Sequence, residues 1–81
     1  MFNNSTEFID EFVKEMKKTM NEHDMLKGCN WKTENYNVLV NNLFEEIHEF
    51  EIKDDPQQEL IDIANSCFIL WARNKFFPRG V

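Results

Sequence analysis

Apolar residues recur at helical spacing through most of the chain, and the pattern predicts three helices. In the first segment Phe8, Ile9, Phe12, Val13, Met16 and Met20 make one stripe, the signature of an amphipathic helix. Glu11, Lys14, Glu15, Lys17 and Lys18 fill the remaining face. Asn4 followed by Glu7 resembles a capping box, so the first helix is expected over 5–20. Residues 21–33 (NEHDMLKGCNWKT) lose the period and read as a loop. The second helix is expected over 34–53, with Thr33 as N-cap and Leu39, Val40, Leu43, Ile47 and Phe50 on its apolar face. Asp55 suits an N-cap and Pro56 the first helical position, so the third helix is expected over 56–75. Its middle, LIDIANSCFILWA, is apolar nearly all the way round, a pattern of burial on most sides. Three helices in one chain cannot cover such a helix, which predicts self-association. The expected architecture is a single all-α domain over 1–81: a three-helix protomer whose second and third helices form an antiparallel hairpin. Two or four copies would complete a four-helix-bundle-like homodimer or homotetramer.

Charge narrows the function. Fifteen acidic residues against nine basic ones leave a formal charge of −6, the wrong sign for a protein that grips a nucleic-acid backbone. No run reaches the roughly 20 apolar residues of a membrane span. The N-terminal MFNNSTEFID has no basic stretch leading into an apolar one, so no export signal is read there. Cys29 and Cys67 are too few for a disulfide framework. Both are read as reduced thiols in a cytoplasmic protein, Cys67 within the apolar run of the third helix.

The chemistry is carried by acids placed where acids are costly. Asp62 and Asn65 interrupt the most apolar helix, and Glu59 lies one turn before Asp62. An unpaired buried carboxylate requires a cation, a metal or a proton. From Leu43 to Leu70 the only basic residue besides His48 is Lys53, at the turn. Glu45, Glu46 and Glu49 cluster on one side of the second helix, within about 100° of one another. A hairpin centred near Asp54-Asp55 brings Glu46 and Glu49 level with Glu59 and Asp62. Clustered oxygen donors of this kind suit a hard divalent cation, Mg²⁺ with Mn²⁺ as a substitute.

The motif Glu45-Glu46-x-x-Glu49, then Glu59-x-x-Asp62 with Asn65 one turn later, resembles that of the MazG-like all-α nucleoside triphosphate pyrophosphohydrolases. In the preceding stretch, His23-Asp24, Lys27-Gly28 and Trp31 are similar to the corresponding segment of small members. Nine residues separate Glu49 from Glu59, a short spacing for that family. The resemblance implies hydrolysis of a nucleoside triphosphate to the monophosphate and pyrophosphate. It implies Mg²⁺ held by Glu45, Glu46, Glu49, Glu59 and Asp62, with Glu46 and Glu49 catalytic and Glu46 the proton acceptor. Lys27, Lys32, Arg73 and Lys75 are the candidate phosphate contacts, Trp31 a stacking surface for the base, and Asn65 a further substrate contact.

Two other readings stay open. Glu45-x-x-His48 matches half of the site of a di-iron carboxylate bundle, which needs that motif twice. A small helical oligomer that binds metal or nucleotide without turnover is the second.

Overall fold

The computed structural model describes residues 4–78, the side chain of Lys27 excepted. It is all-helical, with no strand among the described residues: α1 (Ser5–Lys27), α2 (Tyr36–Ile52) and α3 (Pro56–Phe76), plus one 3₁₀ turn at Asn30–Lys32. The α2–α3 hairpin is the main interface, and α1 packs on α3.

The helix starts follow from side-chain caps. Asn4 Oδ1 accepts the Glu7 N–H at 3.2 Å, and Asp55 Oδ1 accepts the Gln58 N–H at 3.3 Å ahead of Pro56. The start of α2 differs from the expectation. Asn35, not Thr33, is the cap and accepts the Asn37 N–H at 2.8 Å. The Thr33 N–H is committed to the Asn30 carbonyl, where it closes the 3₁₀ turn.

The expected loop over 21–33 is also overturned in its first half, since α1 runs on to Lys27. Nothing in Asn21–Lys27 breaks a helix, and Glu, Met, Leu and Lys are good helix formers. Loss of the apolar stripe was a change of environment, not of conformation. The helix stops at Gly28, whose φ of 70° favours glycine and whose N–H closes on the Asp24 carbonyl at 2.8 Å.

The chain has little interior of its own. Among the described residues the fully buried apolar side chains are Leu39, Ile61 and Ala72. The radius of gyration is 13.8 Å, against about 12 Å for a compact domain of this length. The α1 stripe opens outward at Phe8, Ile9 and Phe12, and α3 is buried on one side only, with Trp71 and Phe76 exposed. Cys67, expected within the apolar run, is on that open side, and both thiols are free and exposed. No helix among the described residues is long and apolar enough to cross a membrane.

Candidate functional site: a carboxylate cluster at the hairpin turn

The α2–α3 turn is only Lys53-Asp54-Asp55, so the last turns of α2 face the first turns of α3. Helical periodicity then sets Glu46 and Glu49 against Glu59. One carboxylate oxygen from each lies within 4.8 Å of the other two. Opposite ligands of one cation are about 4.2 Å apart for Mg²⁺ and about 4.6–5.2 Å for Ca²⁺. The three oxygens are near enough to share a hard divalent ion once the side chains draw inward.

Burial makes the cluster costly. Glu59 is 5% exposed, and its Oε2, like the Oε2 of Glu46, is buried without a hydrogen-bond partner. Burial pushes the Glu46 carboxyl up from 4.5 to about 7, reinforced by the charges of Asp62, Glu49 and Glu59 and opposed by Lys53. Lys53 is the single cation answering this charge among the described residues. Its Nζ donates to Glu49 Oε2 at 3.0 Å and lies 3.5 Å from Glu59 Oε1, and the Glu49 hydrogen bond holds its proton above the ordinary lysine range. Glu59 also stands in the first turn of α3, where the helix dipole favours negative charge. Both supports fall short, because two buried oxygens stay unanswered.

Glu46 faces two ways. Beyond the trio it lines a cleft of about 290 Å³ between the three helices, together with Glu45 and Asp62. The rest of the lining is mixed: Thr19, His23, Asn42, Asn65 and Ser66 are polar, and Met20, Leu39 and Ile69 are apolar. Asn65 is buried and donates its Nδ2 to the Met16 carbonyl at 3.2 Å, which ties α3 to α1 at the cleft floor. Asp62 is half-buried, and its Oδ1 accepts from Gln58 Nε2 at 3.1 Å. The sequence picture had Asp62 as the buried acid; Glu59 holds that place, because it points at α2 beneath the turn while Asp62 opens to the cleft.

The five expected metal ligands thus divide. Glu46, Glu49 and Glu59 converge; Glu45 and Asp62 share the cleft wall with Glu46. His48 is exposed and is not in the converging group.

The expected phosphate contacts are placed differently. Arg73 is 2% exposed and donates Nη1 to the Trp31 carbonyl at 3.0 Å and to the Glu34 carbonyl. It is a clasp between α3 and the α1–α2 connection, with no carboxylate paired to it among the described residues. Trp31 is packed edge-on against Phe68 and Phe77, with ring centroids 6.2 and 6.0 Å away. That arrangement anchors the connection, and Trp31 is not part of the cleft lining. Lys32 stands over Phe77 at 6.0 Å, and Lys75 over Trp71 at 5.7 Å. The side chain of Lys27 is outside the described residues.

Sequence reasoning missed Thr19, Asn42 and Ser66 as cleft residues, and Lys53 as a member of the cluster. Asn42 and Ser66 carried a usable signal, one turn before Glu45-Glu46 and one turn after Asp62 on the same faces. No protein-family model, curated protein or solved structure matches the chain.

Proposed function

We propose that this chain is a Mg²⁺-dependent pyrophosphohydrolase that converts a nucleoside triphosphate to the monophosphate and pyrophosphate. The observation that carries the reading is the convergence of Glu46, Glu49 and Glu59, with a buried, unpartnered oxygen on Glu46 and on Glu59, beside a cleft lined by polar and apolar side chains. The motif resemblance supplies the reaction, and the geometry supports it. Glu46, Glu49 and Glu59 would hold the cation, with Glu45 and Asp62 completing the set from the cleft wall and Mn²⁺ able to substitute. A divalent ion there would offset phosphate charge and lower the pKa of a bound water. Glu46, with a foot in both trio and cleft, is the group best placed to accept a proton through any oxygen that the cation leaves free. Asn42, Asn65, Ser66, Thr19 and His23 would orient the nucleoside by hydrogen bonds. The open faces around Phe8, Phe12, Trp71 and Phe76 support a homodimer or homotetramer as the working form.

One observation favours a second reading, a helical metal- or nucleotide-binding oligomer without turnover: no lysine or arginine lines the cleft among the described residues. Pyrophosphate release from a panel of canonical and modified triphosphates with Mg²⁺ separates the two. Turnover that Glu49→Gln removes, with helical circular dichroism intact, is the expected result. Silence on every triphosphate while Mg²⁺ still binds overturns the enzyme in favour of the binding module.

A further inference from the structure

Lys53 is the α2 C-cap, and its backbone N–H closes on the Glu49 carbonyl at 2.9 Å. With the backbone fixed there, the side chain folds back over the turn and bridges the two helices through Glu49 and Glu59. It reaches the cluster from the solvent side, its side chain 52% exposed where that of Glu59 is 7%. The ammonium therefore lies over the carboxylates as a cover, with an open path behind it.

This arrangement answers the cluster by position but not by number. One positive charge stands against Glu46, Glu49, Glu59 and the nearby Asp62. Glu46 Oε2 and the deeply buried Glu59 Oε2 are left with no partner, and both side chains belong to the converging trio. A divalent ion there would supply twice the charge and short bonds to all three acids. An exposed lysine pair is weak and gives up side-chain freedom to persist, so it is readily exchanged. The ammonium and the ion cannot share the oxygens of Glu49 and Glu59 on equal terms, since both need the same lone pairs.

We propose that Lys53 is the resident counter-ion of the carboxylate cluster, and that a divalent cation enters by displacing its ammonium into solvent. Loading is then an exchange of cations, and the turn sets the concentration at which the site fills. The short hairpin is what makes this work, because a longer connection would carry the lysine away from Glu59. The inference rests on the cation-binding reading of the cluster given above, but not on turnover or on the identity of the substrate.

The test is a Mn²⁺ titration followed by the electron paramagnetic resonance of free Mn²⁺, on wild type, Lys53→Gln and Glu59→Gln. Lys53→Gln is expected to bind at least about fivefold more tightly than wild type, and Glu59→Gln at least about tenfold more weakly. A second readout needs no cluster variant: reductively ¹³C-dimethylated wild type, with Lys53 assigned by its absence in Lys53→Arg. Its signal should move toward that of a free lysine as Mg²⁺ is added. Equal or weaker Mn²⁺ binding by Lys53→Gln, with Glu59→Gln impaired, overturns the exchange and leaves the cation site standing. An unmoved Lys53 signal at saturating Mg²⁺ overturns it as well. If neither wild type nor Lys53→Gln binds Mn²⁺, the cation-binding reading falls, and Lys53 is a permanent partner of the acids.

Discussion

Two buried charges on α3 have opposite fates. Arg73, near the C-terminal end, is buried and donates to the backbone carbonyls of Trp31 and Glu34. Glu59, in the first turn, has one oxygen near an exposed lysine and the other buried without a hydrogen-bond partner. At the Arg73 end the chain meets the guanidinium with its own carbonyls, both through Nη1, and leaves the Nε donor without a partner. At the turn end it leaves charge uncompensated, at a cost to stability that packing alone gives no reason to carry. Arg73 is thus part of the architecture, and Glu59 with Glu46 and Glu49 forms the cluster proposed above to hold a cation.

The hardest attempt to break this contrast is Arg73→Met. It keeps much of the apolar stem but leaves the carbonyls of Trp31 and Glu34 without their charged donor in a part-buried setting. The expected loss is about 3 kcal/mol, from hydrogen bonds to a charged group worth about 1.5–3 kcal/mol each. Urea denaturation at fixed chain concentration reads it, and a loss under about 1 kcal/mol would show that the clasp is incidental.

A smaller and opposite effect is expected at the turn. Because the Glu46 carboxyl is raised from 4.5 to about 7, the folded chain holds this proton more tightly than the unfolded one. Stability without divalent ions should therefore fall as pH rises from about 4.5 through about 7, then level off. The ceiling of this term is about 3 kcal/mol, and solvent screening of the half-buried carboxyl reduces it to about 1 kcal/mol. Glu46→Gln should recover that amount at pH 8 and nothing near pH 4, in thermal melts in chelator. A variant no more stable than wild type at pH 8 would mean that the cluster is adequately neutralised by Lys53.

The smallest effect sharpens the contrast from the surface. Lys75→Ala removes an exposed cation–π contact worth about 0.5 kcal/mol. If the enzyme reading holds, its nucleotide KM should stay within about twofold of wild type. A tenfold rise would return Lys75 to the phosphate contacts.

The parts of the molecule legible from sequence are those governed by local rules. Asp55-Pro56 marks the start of α3 because capping and a fixed proline φ act on adjacent residues. Helical periodicity likewise puts Glu46 and Glu49 opposite Glu59, since it needs only an angle per residue and a turn position. Depth is not encoded that way, so the buried acid is Glu59 rather than Asp62. Arg73 reads as a surface base because its partners are carbonyls 39 and 42 residues away, invisible to any pattern of side chains. Lys53 is visible at the turn, but a flexible stem can point anywhere, and only the packed hairpin shows that it folds inward. The extension of α1 was hidden by polarity: Asn21–Lys27 looks like a loop only if a helix is required to have an apolar face.

The three-residue turn has a consequence for how the chain acquires its structure. Contacts across it are short in sequence, so closing the hairpin forfeits less chain entropy than docking α1 on α3, and pairings this local form fast. The acidic trio straddles that same hairpin, and its mutual repulsion is met at the earliest stage of assembly. If the cluster holds a cation as proposed, the hairpin that closes most locally is also the one that assembles the site, and divalent ions should speed its closure.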